Sequence, residues 1–240
     1  MYYGHSPKLH LNTLKRRVGK RKLKKAIIFD MDGTLFQTHK ILENSLEETF
    51  SYLRDHDLWE KETPIQKYRE IMGVPLPVVW ETLLPKHSDE VREKANRIFH
   101  IQLIQSILNG KGALYPHAEE TFNQLVKEFE IYISSNGQKE YLKAIEDYYK
   151  LDRWVRKVYS IEEICSRNKS ELVSFIKEKH GISEGIVVGD RLSDFMAAKH
   201  NQFLSIGCDF DFSVEDELIH ADIVIKDLSE LINCILDMKR

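Results

Sequence analysis

Apolar and polar positions along the chain change their rhythm twice. Residues 26–30, AIIFD, make a short β-branched apolar run that ends in an acid, the pattern of a buried strand. From 39 to 112 the apolar residues recur at helical spacing. The pattern predicts helices over 40–55, 64–72, 75–84 and 88–108, with breaks at Pro64, GVPLP (73–77), Pro85 and Asn109-Gly110, and no strand between them. After Tyr115-Pro116 strand-like and helix-like stretches alternate. Strands are expected at 130–136, 156–160, 185–190, 203–207 and 222–225, and helices at 117–128, 138–149, 169–179, 192–200 and 228–237.

Such alternation implies a parallel sheet covered on both faces and joined by right-handed crossovers. The expected fold class is α/β, a Rossmann-like parallel-sheet core with an inserted block of helices. The expected organisation is a basic extension at 1–25, a core at 26–38 and 113–240, and a helical insertion at 39–112. Ligands of such sheets sit beyond the carboxyl ends of the strands.

Polar residues gather at those ends. FDMDGTLF (29–36) places Asp30 and Asp32 after the first strand. Ser134, Ser135 and Asn136 end the second; Gly189 and Asp190 end the strand at 185–190, with Asp194 one helical turn on; Lys169 opens the preceding helix. Like charges this close repel unless a cation or a proton offsets them. A set of hard oxygen donors without cysteine or histidine suits Mg²⁺, which keeps several waters and takes substrate phosphate as a further ligand. A carboxylate beside a metal-held phosphate can attack phosphorus and form an aspartyl-phosphate. A hydroxyl, backbone N–H groups and a lysine would stabilise the charge on the equatorial oxygens. On this reading Asp30 is nucleophile and metal ligand, Asp32 is the acid/base, and Gly33 permits a tight turn. The plainer alternatives are a turn and helix cap for Asp30 and Asp32, an N-cap for Ser135 and Asn136, and surface or loop roles for Lys169, Asp190 and Asp194.

Composition narrows the field further. The 240 residues are 42% hydrophobic and 30% charged, which suits a globular core. No apolar run approaches the roughly 18 residues of a membrane span, and residues 1–25 lack the apolar stretch of a signal peptide. Three dispersed cysteines, Cys165, Cys208 and Cys234, fit a reduced compartment, and a cytoplasmic location is expected. The net charge of −3 divides into +9 on residues 1–25 and −12 on the remainder. A basic arm on an acidic body could touch nucleic acid or an anionic membrane surface. The favoured reading is a solvated extension, or an arm lying on its own body. Abundant lysine and little serine argue against an organellar targeting peptide.

These segments together resemble the haloacid dehalogenase superfamily. FDMDGTLF is similar to its first motif, ISSN (133–136) to its second, Lys169 in RNKSELV to its third and VVGDRLSD (187–194) to its fourth, over about residues 26–235. The resemblance implies a Mg²⁺-dependent phosphohydrolase acting on a small phosphorylated metabolite. Asp30 would be the nucleophile, and Asp32 the acid/base that also gives its backbone carbonyl to the metal. Ser135, Asn136 and Lys169 would sit at the phosphoryl group, Asp190 would complete the metal site, and Asp194 would support it or Lys169. A second acid at Asp32 favours phosphate chemistry over dehalogenation. The insertion resembles the small α-helical cap of the phosphoglycolate phosphatase and β-phosphoglucomutase branch. Two positions depart from that pattern: Gln37 stands where an acid is frequent, and Ser170 where proline is frequent, which makes Arg167 an alternative to Lys169. Within the insertion, Trp59, Met72, Trp80 and Phe99 read as core. His39 and His117 flank it, within possible reach of the cleft, and GVPLP is either a specificity loop or a helix break. Two further functions stay open: a sugar-phosphate mutase, and a non-catalytic protein that binds through the basic arm.

Overall fold

The computed structural model describes residues 24–71, 74 and 76–237. Its centre is a six-stranded, wholly parallel sheet: β1 (Lys25–Phe29), β2 (Glu130–Ser135), β3 (Val155–Ser160), β4 (Glu184–Gly189), β5 (Leu204–Cys208) and β6 (Ile223–Ile225), in the order β3-β2-β1-β4-β5-β6. The helices follow in chain order. α1 (His39–Asp55), α2 (Ile65–Glu70), α3 (Leu76–Leu83) and α4 (Asp89–Leu108) lie between β1 and β2, and α5 (Ala118–Leu125) leads into β2. α6 (Lys139–Tyr149), α7 (Lys169–His180), α8 (Leu192–His200), α9 (Glu215–Leu218) and α10 (Glu230–Asp237) complete the set.

β1 shows why the sheet is covered on both sides. Successive side chains of a strand point to opposite faces. Ile27 and Phe29 enter one apolar cluster with Phe122 of α5, Leu142 of α6 and Leu231 of α10. Ala26 and Ile28 enter another with Val173 of α7 and Ala198 of α8. All four β1 side chains are fully buried, and burying each isoleucine or phenylalanine contributes about 1.5–3 kcal/mol.

The strand order reverses at β1. β2 and β3 were added on one side, β4 to β6 on the other, so the crevice at the carboxyl ends of the central strands is open to a ligand. The register fixes what meets there: Phe29 pairs with Val188, and the Asp30 N–H donates to the Val188 carbonyl at 2.8 Å. Asp30 and Asp190 therefore emerge side by side although 160 residues separate them in the chain.

In the insertion, α1 buries Ile41, Leu42, Leu46, Phe50 and Leu53 on one face, and α4 buries Ala95, Phe99, Leu103 and Ile107. Ser88 caps α4, with Asp89 and Glu90 in its first turn beside the positive end of the helix dipole. The way out and the way back are tied together. Gln37 N–H donates to the Ala113 carbonyl at 2.9 Å, its side chain to the Leu114 carbonyl at 2.6 Å, and Tyr115 N–H to the Leu35 carbonyl at 2.9 Å. Gln37, where an acid is frequent, thus fastens the two linkers to each other.

The pattern-based elements match these to within about three residues at their ends; α9 and the single 3-10 turns at Leu151–Arg153 and Ile161–Glu163 are not anticipated. The four-residue helix α9 is too short to leave a periodic signal. Lys25, assigned above to the extension, is the first residue of β1 and pairs with Glu184 on β4, through its backbone and through an ion pair at 2.8 Å. The basic segment 1–23 and Met72 lie outside the described residues.

Candidate active site

Two glycine-dependent approaches shape the site, one in the loop after β1 and one at the end of β4. Met31 accepts from the N–H groups of Leu35 and Phe36, closing a turn that carries Gly33 at φ 79°. A Cβ on Gly33 would lie 2.5 Å from Asp190 Oδ2, so only glycine lets the Asp190 carboxylate rest against this turn. The Thr34 hydroxyl donates to Asp190 Oδ1 at 3.1 Å. Gly189 likewise makes room for the Asp194 carboxylate. Asp194 in turn accepts from the Arg191 N–H at 3.2 Å and closes the first turn of α8.

Asp30, Asp190 and Asp194 consequently converge. Each offers one carboxylate oxygen, all within 4.8 Å of one another, and all three residues are buried. Lys169, the first residue of α7, is 7% exposed and reaches into the group, with Nζ 2.5 Å from Asp30 Oδ1 and 2.5 Å from Asp194 Oδ1. Asn168 caps that helix by accepting from the N–H groups of Ser170 and Glu171, which aims Lys169 inward. Arg167 is exposed, so the lysine and not the arginine reaches the acids.

Three carboxylates with one ammonium leave negative charge in excess. Burial pushes the Asp190 carboxyl well above its ordinary range, and Asp30 and Asp194 push it further. Burial also raises Asp30 and Asp194, against the pull of Lys169. Burial alone would discharge Lys169, but the carboxylates of Asp194 and Asp30 outweigh it and the ammonium is held above its ordinary value. The donors are oxygens only, as a hard divalent cation requires, and a cation here would offset the burial and mutual repulsion that raise these carboxyl pKa values.

Asp32 stands apart from that group. Its Oδ1 accepts from the Thr38 hydroxyl at 2.6 Å and from the Tyr141 hydroxyl at 2.5 Å. Burial raises its pKa, and these two hydrogen bonds oppose the rise. A carboxyl whose pKa is raised, held outside the cluster, is suited to delivering a proton. Ser135 and Asn136 line the same cleft, and the Ser135 hydroxyl accepts from Gly137 N–H at 3.0 Å, a local turn at the end of β2. All seven residues singled out in the sequence thus line one cleft.

The sequence did not mark several others. Arg191 lines the cleft and is held by a two-pronged pair with Glu217 of α9, at 2.9 and 3.0 Å. Tyr68, Phe99, His100 and Leu103 enter the cleft from the insertion, and Phe212 from the loop after β5; Val74, of the GVPLP segment noted above, lines it too, whereas Gly73 and Pro75 lie outside the described residues. Phe99 is therefore both core and lining. His39 and His117 are turned elsewhere: His39 Nδ1 lies 3.1 Å from Asp211, and His117 Nδ1 lies 2.7 Å from Asp227. Asp211 also accepts from the Tyr115 hydroxyl at 2.8 Å, so one carboxylate of the core touches the linker on each side of the insertion.

The fold recurs among solved structures. A predicted phosphoglycolate phosphatase from Haemophilus somnus superposes with a TM-score of 0.77 over 90% of this chain and 99% of that one, at 17% identity. CbbY from Rhodobacter sphaeroides in complex with phosphate superposes at 0.73, over 88% and 96%, at 14% identity. Among curated proteins, a phosphoglycolate phosphatase of Pseudomonas savastanoi is 24% identical over 90% of this chain and 82% of its own length. A 5′-nucleotidase of Pseudomonas aeruginosa is 22% identical over 80% and 86%. Residues 27–207, from the middle of β1 to the glycine of β5, match the family model described as haloacid dehalogenase-like hydrolase, and the chain belongs to that family.

Proposed function

We propose that the protein is a Mg²⁺-dependent phosphomonoesterase for a small phosphorylated metabolite, working through an aspartyl-phosphate on Asp30. One observation carries this reading: a buried carboxylate, Asp30, shares its pocket with two further carboxylates and is touched by a buried ammonium. The similarity to enzymes named as phosphatases and a nucleotidase supports it.

Asp30, Asp190 and the backbone carbonyl of Asp32 would hold Mg²⁺, which when bound supplies charge neutralisation for the phosphoryl oxygens. The rest is done by side chains. A carboxylate oxygen of Asp30 attacks phosphorus in line with the ester oxygen. Lys169, Ser135 and Asn136 bind the equatorial oxygens, and Asp194 keeps Lys169 in place. Asp32 gives its proton to the departing alcohol. As a carboxylate it then takes a proton from the water that attacks the aspartyl-phosphate, which returns Asp30 and releases phosphate. The helical insertion acts as a cap that keeps bulk water from the site while the phosphoenzyme forms.

The test is phosphate release from p-nitrophenyl phosphate. The wild type is expected to be active with Mg²⁺ and silent with a chelator. Asp30→Asn, which is nearly isosteric, is expected to lose roughly 10³-fold or more in kcat with its circular dichroism unchanged. Turnover by Asp30→Asn at the wild-type rate would contradict the assignment.

A further inference from the structure

The insertion's side of the cleft is built of Tyr68, Val74, Phe99, His100 and Leu103. Among the described residues, the cations that line the cleft both come from the core, and both are already paired: Lys169 with Asp30 and Asp194, Arg191 with Glu217. The described residues of the insertion bring neither a lysine or arginine nor an acid to it. Its polar contribution includes one group whose hydrogen-bonding sense is fixed.

That group is His100. It lies in the middle of α4, is 7% exposed, and turns Nδ1 back to the carbonyl of Asn96 at 3.0 Å. A carbonyl oxygen only accepts, so Nδ1 carries the proton. The opposite ring nitrogen, Nε2, is then a bare lone pair. It is buried and has no partner among the described residues. The ring stands edge-on to Tyr141, 6.5 Å between centroids, and the Tyr141 hydroxyl is bonded to Asp32. Burial lowers the His100 pKa, against the opposing pull of the Asn96 carbonyl and of Glu162 and Glu140, which favours the neutral ring. The acceptor thus sits one aromatic ring away from the acid that would protonate the leaving group. An N–H or O–H on that group would satisfy it. A carboxylate or second phosphate in the same place would put negative oxygen against a lone pair, beside apolar side chains that offer no cation.

We propose, resting on the phosphomonoesterase reading above, that the leaving group is an uncharged alcohol bearing a further hydrogen-bond donor, which His100 Nε2 accepts. Phe99 and Leu103 take its apolar face. His100 is therefore a specificity residue that selects neutral polyol or nucleoside esters over esters of hydroxy acids.

The experiment uses the full chain with Mg²⁺ and compares two sets of esters. The neutral set is 2-hydroxyethyl phosphate, glycerol 3-phosphate and a nucleoside 5′-monophosphate; the acidic set is phosphoglycolate, which is nearly isosteric with the first, and 3-phosphoglycerate. The best neutral ester is expected to exceed both acids in kcat/KM by about tenfold or more, the equivalent of about 1.4 kcal/mol. His100→Leu should shrink that preference through KM rather than kcat. His100→Lys, which installs a cation, should turn the preference toward phosphoglycolate. If no neutral ester exceeds the acids while p-nitrophenyl phosphate is hydrolysed, the inference is overturned and the phosphatase reading stands. If p-nitrophenyl phosphate is itself untouched, the phosphatase reading fails first. A His100→Lys protein that folds and keeps the wild-type preference would also overturn the inference.

Discussion

The two walls of the cleft obey different physics. The wall at the strand ends is crowded with charge: three buried carboxylates and one buried ammonium, held by glycine-dependent close approaches and by the parallel register. The wall from the insertion is, among the described residues, aromatic and aliphatic, with an imidazole whose pKa burial lowers and no lysine, arginine or acid. The first wall is costly to build in the absence of a cation, since burial alone raises all three carboxyl pKa values. The second is ordinary core whose inner surface happens to be reachable. On the reading above, reaction chemistry belongs to the sheet, and the choice of substrate belongs to the helices.

That division can be broken most severely at Lys169. Lys169→Met removes the cation that the described structure places within the acidic group. It is expected to lower kcat on the order of 10²–10³-fold, and in the metal-free protein to cost about 3–5 kcal/mol at neutral pH. The loss should shrink as pH falls and the carboxylates protonate. Urea denaturation at two pH values together with steady-state kinetics measures both, and an unchanged stability at neutral pH would mean that the charges are better solvated than the structure shows.

A smaller effect sharpens the same contrast. Asp30, Asp190 and Asp194 all have folded pKa values raised above the ordinary carboxylate range. The folded, metal-free protein therefore holds these protons more tightly than the unfolded chain. Stability from this source falls as pH rises from about 4 through the raised values. A divalent cation cancels that loss. Mg²⁺ at about 100 times its Kd is expected to add about 2.7 kcal/mol, or roughly 5–10 °C in Tm. The gain should be larger near pH 7.5 than near pH 5, where protons compete for the same oxygens. Thermal denaturation with and without Mg²⁺ at the two pH values is the check, and equal gains at both would separate the ion from the carboxylates.

The strand-end wall was largely legible in the sequence because its signals are local. An apolar run ending in Asp30, a serine pair ending another, and Gly189-Asp190 after a third each announce a strand and what lies at its tip. The alternation of elements then requires a parallel sheet, and a parallel sheet gathers its carboxyl ends. The insertion wall was not legible, for a corresponding reason. Phe99 and His100 occupy helical positions that a packed core would also fill, and nothing in their spacing distinguishes a lined cavity from a filled one. Tyr141 likewise reads as one more apolar-face residue of α6, although a buried tyrosine hydroxyl needs a partner, and Asp32 is that partner. Glu217 could not be linked to Arg191 at all, because 26 residues, including all of α8 and β5, separate them and α9 is too short to predict. Asp211, which joins His39 and Tyr115, follows from the loop after β5 folding back over both linkers.

The most direct measurement of the central claim is to stop turnover by acid quench and map where the phosphoryl group resides. With Mg²⁺ and a substrate it hydrolyses, the wild-type protein should yield a labelled peptide carrying the phosphoryl group on Asp30, with no label in chelator. A phosphoryl group on any other residue, or rapid phosphate release with no protein-bound phosphoryl group at any time, would contradict the account.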